Sequence, residues 1–171
     1  MYNKGFTLIE TLIAISILIL AVTGAYAAAQ NGISSAIFSK DQITAFYLAQ
    51  EGVEQIRNLR DQNGITGSSW LAGIAESASD PCPLGSACMV DSVNNTIAKC
   101  TGDEPTPCPN LKLNNNGFYA YDSGTDTIFN RDIRITEVVP GKEVSITSVV
   151  TWSKGLVQRT FRARENIFNW Q

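Results

Sequence analysis

Apolar residues are not spread evenly along this chain. From Phe6 to Ala29 the sequence FTLIETLIAISILILAVTGAYAAA holds a single charge, Glu10. As a helix it would be about 36 Å long, enough to span a bilayer with some tilt. Beyond it the apolar positions become periodic: Ile33, Ile37, Phe46, Ala49, Val53, Ile56 and Leu59 recur at steps mostly of three or four, the spacing of one helix face. Lys40, Asp41, Gln50, Glu51, Glu54, Arg57 and Arg60 lie away from that stripe. The pattern predicts one helix from Phe6 to about Asp61, with cations suited to its C-terminus and Asn63-Gly64 as its stop. A break at Gly24 or Gly32, separating an anchor from a second helix, is the alternative.

From Ile65 to Gly117 the periodicity stops. Five of the six prolines (Pro81, Pro83, Pro105, Pro107 and Pro109), many Gly, Ser and Asn residues and all four cysteines fall there, which reads as a long loop. The last third reads as sheet. Phe118 to Asp122 and Ile128 to Val139 are strand candidates, and Glu143 to Ser153 alternates with Val144, Ile146, Val150 and Trp152 on one side. Pro140-Gly141-Lys142 and Ser153-Lys154-Gly155 supply turns. Val157, Phe161 and Ala163 continue the buried side on a returning strand, Arg162 and Arg164 point the other way, and Arg159 breaks the alternation at a bulge or an exposed end. These three arginines suit a solvated edge that resists aggregation, with an interaction patch as the competing reading. The fold class is therefore α+β: a long N-terminal α-helix, part membrane anchor and part amphipathic, packed on a small antiparallel β-sheet. The expected segments are a leader over 1–5, an anchor helix over 6–29, its amphipathic continuation over 30–62, a Pro/Gly/Cys-rich insertion over 63–117 and a sheet over 118–171.

Composition narrows the chemistry. The chain has 171 residues, 17% charged, with a formal net charge of -3, so nucleic-acid binding has no electrostatic support. It contains no histidine, which excludes Ser-His-Asp and Cys-His catalysis and His-ligated metal. Cys82, Cys88, Cys100 and Cys108 all follow the apolar segment. Lys4 ahead of that segment favours a cytoplasmic N-terminus and an extracytoplasmic remainder, where disulfides persist. Nearest-neighbour pairing, Cys82 with Cys88 and Cys100 with Cys108, is the choice among three connectivities. The competing reading, zinc held by four thiolates, lacks any C-x-x-C pair. No cofactor and no catalytic residue is expected.

Two export readings compete at the N-terminus. Lys4, the run from Thr11 to Val22 and Ala25-Tyr26-Ala27 would make an ordinary secretory signal with a small-x-small cleavage site. That reading leaves Glu10 unexplained, since a carboxylate at bilayer centre costs about 2.5 to 3.5 kcal/mol on insertion scales. Snorkelling to the headgroups would be the bland account of it. The short leader ending in Gly5, then Phe6-Thr7-Leu8-Ile9-Glu10 and an apolar helix without a gap, instead resembles the class III signal of bacterial type IV pilins and type II secretion pseudopilins. The resemblance implies that a membrane prepilin peptidase cuts between Gly5 and Phe6 and N-methylates Phe6, and that Phe6 and Glu10 then act in filament assembly. The spacing places the new amine and Glu10 four positions apart on one helix face.

The resemblance further implies a structural subunit, a minor pilin or pseudopilin. It would wait in the inner membrane with its head outside, then enter a filament. Implied partners are other pilin or pseudopilin subunits, the peptidase, the inner-membrane assembly platform with its ATPase, and membrane lipid. LAQEGVEQIRNLRDQN, after Tyr47, also looks like such subunits near a filament tip. Many major pilins carry a proline within the anchor, and here none precedes Pro81. Some pseudopilins bind calcium through a head loop, but Asp122-Ser123-Gly124-Thr125-Asp126 has too few ligands and reads as an Asx-rich turn. Asn94-Asn95-Thr96 matches a glycosylation pattern only formally. From a different class, the alternative is a tethered or secreted binding domain or enzyme that uses the N-terminus only for export.

Overall fold

The computed structural model describes residues 5–102 and 107–169. Lys4 and the rest of 1–4 in the expected leader, and Pro105 of the insertion, lie outside the described residues. The chain divides into two compact units, Met1–Asp41 and Gln42–Gln171. Helix α1 (Leu8–Thr66) is continuous, with no break at Gly24 or Gly32. In the first unit its apolar side chains stand open, with Leu8 and Leu20 each more than 70% exposed.

The helix ends later than Asn63-Gly64. Ser68 N–H donates to the Asn63 carbonyl at 2.9 Å and Gly67 N–H to that of Gly64 at 3.3 Å, while Gly67 takes φ 71°. This is a Schellman cap with Gly67 at the left-handed position, so Gly64 remains inside the last turn. The Asn63 side chain acts elsewhere: its amide donates to the Ala72 carbonyl at 2.9 Å and tethers the following loop.

Among the described residues of the second unit, seven strands form one antiparallel sheet: β1 (Ala87–Asp91), β2 (Thr96–Lys99), β3 (Asn110–Leu113), β4 (Tyr119–Ala120), β5 (Thr125–Val139), β6 (Glu143–Lys154) and β7 (Val157–Phe168). The long strand β5 pairs with β6 on one side; on the other it meets β3 near its start and β1 farther along, with Cys88 opposite Ile133. β7 pairs with β6. Three strands thus lie within the 63–117 stretch whose sequence pattern reads as a loop. Short runs such as ACMVD sit between turn residues: β1 and β2 form a hairpin too short to show alternation, and the pairing of β1 and β3 with β5 is distant in sequence.

Helix and sheet meet along Ala45, Leu48, Ala49, Gly52, Val53 and Ile56. Gly52 allows the close approach, since a Cβ there would lie 2.6 Å from Ile133 Cδ1. One core cluster joins Val53 and Ile56 to Trp70, Ile74, Cys82, Cys88, Ile133 and Ile146. The supposed insertion therefore helps to build the core instead of standing apart from it. A second cluster groups Ala45, Leu48 and Ala49 with Leu111, Phe129, Val150 and Trp152. Within the second unit the helix residues buried against the sheet begin at Ala45. Val157 is exposed, and the β6–β7 register is unbroken past Arg159; the hairpin extends beyond the core without a bulge.

Candidate assembly site

The residues around Glu10 form a defined local structure. Gly5, Phe6 and Thr7 precede the helix. Glu10 N–H donates to Thr7 Oγ1 at 3.4 Å, and Thr7 N–H and Oγ1 donate back to Glu10 Oε2 at 3.4 and 3.3 Å. This reciprocal arrangement is a capping box: it satisfies two orphan donors at the helix start and places a carboxylate where the helix dipole favours it. Its sequence signal, Thr-x-x-Glu before an apolar run, gives Glu10 a role besides the expected pairing with the new amine. Phe6 lies one residue ahead of the cap, outside the helix, so helical spacing alone does not set its nitrogen on the Glu10 side chain. Gly5 stands in open space, with nothing near the position of a Cβ. The fold itself therefore places no demand for glycine there.

The helix continues from this cap into a segment long and apolar enough to cross a membrane, none of it buried. From Gln42 onward, polar helix residues that lie off the apolar stripe nonetheless bind the sheet. Arg57 pairs with Glu165, and Arg60 donates to the Phe168 carbonyl at 3.1 Å. The main polar anchor is Arg131 on β5, which is 1% exposed. Its guanidinium donates to the Leu48 carbonyl at 2.8 Å and the Val90 carbonyl at 2.6 Å, and Glu51 Oε2 lies 3.6 Å away. Burial pushes the Glu51 carboxyl above its ordinary value, with Arg131 opposing. The alternation of Phe129, Arg131, Ile133 and Ile135 puts Arg131 on the core face.

Asp91 closes the β1–β2 turn. It accepts from Val93 N–H, Asn94 N–H, Asn94 Nδ2 and, across the sheet unit, Tyr121 N–H at 3.0 Å. Burial opposes its ionisation, but these donors, Asn94 and Tyr121 foremost, outweigh burial and hold the carboxyl below its ordinary value.

The structure pairs Cys82 with Cys88 and Cys100 with Cys108, at Cα separations of 5.3 and 4.8 Å. The first pair lies inside the larger core cluster; the second packs on Ala87 and Met89. Asp122 accepts from the N–H of the next residue, Ser123, a contact one position short of an Asx turn, and Asp126 faces Lys112 across β3 and β5. Among the described residues no group of three His, Cys, Asp or Glu side chains could hold a metal.

Residues 1–26 match the family model described as the prokaryotic N-terminal methylation motif. No curated protein and no solved structure matches the chain. The chain thus carries the class III prepilin signal of type IV pilins and pseudopilins. Its long N-terminal helix followed by an antiparallel sheet is a pilin-like α+β architecture.

Proposed function

We propose that the chain is a structural subunit, a minor pilin or pseudopilin, cut between Gly5 and Phe6, N-methylated on Phe6 and assembled into a filament through its N-terminal helix. The observation that carries this reading is the methylation motif at the start of a helix whose apolar segment is wholly uncovered. Before assembly lipid covers that segment; in a filament the corresponding helices of neighbours replace lipid. The head stays outside the cytoplasmic membrane, in keeping with its two disulfides.

Gly5 fits the cut because its lack of a Cβ answers the approach of a peptidase, not a need of the fold. Hydrolysis releases the Phe6 amine one residue ahead of the capping box. Glu10 then holds a carboxylate partly satisfied by Thr7, and the ammonium of its own or a neighbouring Phe6 supplies the counter-charge. The partners are other pilin-like subunits, the prepilin peptidase and the inner-membrane assembly platform. The mechanism is assembly without catalysis.

Intact mass and terminal sequencing of the protein from native membranes test this. Methylated Phe6 is the expected N-terminus. A start at Ala28 or Gln30, or an uncut Met1, would overturn the assembly mechanism in favour of a secreted or tethered domain.

A further inference from the structure

Two exposed apolar side chains have no role in the fold that presents them. The β6–β7 hairpin turns through Gly155 and Leu156, with Gly155 at φ 62° and Leu156 absent from the positive-φ residues. A positive φ at the first central position alone is the type II′ pattern, which needs glycine there and places no demand for leucine next to it. Leu156 is nonetheless 106% exposed, flanked by exposed Lys154 and by Val157 at 55%. Near the other end of the hairpin, Ile65 is 87% exposed in the last turn of α1. The apolar contact that can accompany a Schellman cap joins positions held here by Ser68 and Asn63, so the cap does not account for Ile65 either.

Ile65 stands at a cavity of about 330 Å³ formed with Trp70 and Phe168 and edged by Arg60 and Asp61. Asp61 pairs with Arg60 Nε at 2.7 Å, and its side chain remains 53% exposed. The cavity is thus an apolar pocket with an accessible carboxylate at its rim. The tip is an apolar knob with an accessible ammonium beside it. The β6–β7 register runs from Lys154 opposite Val157 to Glu143 opposite Phe168, which separates tip and pocket by roughly 35 to 40 Å at strand rise.

We infer that the Lys154–Val157 tip of one copy docks in the Ile65/Trp70/Phe168 pocket of a second copy, Leu156 entering the cavity and Lys154 meeting Asp61. Knob and pocket are different surfaces at opposite ends of the hairpin, so the contact is heterologous. Such a contact does not close on itself as a two-fold dimer and can repeat along a growing filament. The inference rests on the filament-subunit reading, with copies of the chain standing next to one another, and adds to it a heterologous contact of defined polarity between globular parts.

The test is oxidative cross-linking of the full-length protein in cells carrying its assembly system, with Ile65→Cys and Leu156→Cys. Both positions are open to solvent, so the fold tolerates the changes. The double variant is expected to give a ladder of multimers, each single variant none, and the two single variants expressed together dimers only. As a second measurement, Asp61→Lys lowers the cross-linking yield about three- to fivefold, the effect of an exposed charge pair, and adding Lys154→Asp restores it. Cross-linked dimers from a single variant, or a cross-link from the Ile65→Cys thiol to a different subunit, overturn the docking. A chain that is processed at Phe6 and recovered in filaments without any ladder overturns the docking alone. An unprocessed chain absent from filaments, and without a ladder, overturns the filament-subunit function as well.

Discussion

Arg131 on β5 donates to the Leu48 carbonyl of α1 at 2.8 Å across 83 positions of sequence, from a side chain that is 1% exposed. A charge so buried needs compensation, and Glu51 lies at 3.6 Å to supply it. Because the second Arg131 bond reaches the Val90 carbonyl, one side chain ties helix, β1 and β5 together. In a filament subunit this is the join between the helix that enters the assembly and the head that must follow it.

Removing one member of a buried pair costs more than removing both, because it strands the other charge. Only Arg131 is fully buried here, the Glu51 side chain being 36% exposed. Arg131→Met should therefore destabilise the protein chiefly through the Leu48 and Val90 carbonyls left without a donor, on the order of 1 to 3 kcal/mol each. Adding Glu51→Gln should recover part of that loss. Urea unfolding of the detergent-solubilised chain, followed by near-UV circular dichroism, checks the cycle; strictly additive losses would mean that Glu51 does not answer Arg131.

Asp91 gives a pH dependence of defined sign. Its folded carboxyl titrates below the ordinary value, so its contribution is full above the unfolded value and is lost as pH falls through the folded one. Asp91→Asn turns a donor toward Tyr121 N–H and Asn94 Nδ2 and should cost about 1 to 3 kcal/mol at neutral pH. The gap between wild type and variant should narrow in acid below pH 4, roughly the unperturbed aspartate range. Glu51 has the opposite slope: its raised value adds stability at low pH that is lost as pH rises through the folded value. Unfolding midpoints from pH 3 to 8 separate the two, because only the Asp91 effect disappears in Asp91→Asn.

The two disulfides close loops of similar length, with sequence separations of 6 and 8. Chain entropy alone assigns each roughly 2.5 kcal/mol. Their surroundings differ, because Cys82 and Cys88 are both 0% exposed within the larger core cluster. Replacing both by Ala should therefore cost more than replacing Cys100 and Cys108, by about 1 to 2 kcal/mol of lost packing. Equal shifts in thermal midpoint would show that the core does not register the first pair.

How far the sequence discloses this fold follows from the range of each interaction. The long helix and strands β5 to β7 announce themselves by local periodicity, and the turns at Gly141 and Gly155 by local residue type. Asn63-Gly64 and Gly67 carry the same composition cue for a helix end, and only the hydrogen bonds reveal which glycine takes the left-handed turn. Strands β1 to β3 are short; β1 and β3 join the sheet through β5, and β2 only through β1, so no local pattern marks them. Arg131 is visible at a core-facing position, but the carbonyls of Leu48 and Val90 that satisfy it come from other elements. At the N-terminus both members of the capping box stand in one motif, yet a lone carboxylate in an apolar run points first to a missing counter-charge and only then to Thr7.

Thr7 therefore provides the sharpest test of how the N-terminus works. If Glu10 served only to await an amine, Thr7→Val would be nearly silent, since valine keeps the shape and removes only the hydroxyl. In the box Thr7 Oγ1 both accepts from Glu10 N–H and donates to Glu10 Oε2. Its loss should cost the first turn about 1 kcal/mol, frees a helix donor and leaves the carboxylate less satisfied in an apolar setting. Thr7→Ser, which keeps the hydroxyl, should behave as wild type. Glu10→Ala should leave processing at Gly5 largely intact and impair incorporation into filaments, whereas Thr7→Val should give an intermediate defect. The measurement is the ratio of filament-associated to membrane-associated protein for each variant, with N-terminal mass confirming the cut. Normal incorporation of Glu10→Ala would remove the pairing of Phe6 and Glu10 from the assembly mechanism; equal behaviour of Thr7→Val and Thr7→Ser would reduce the box to a detail of the free subunit.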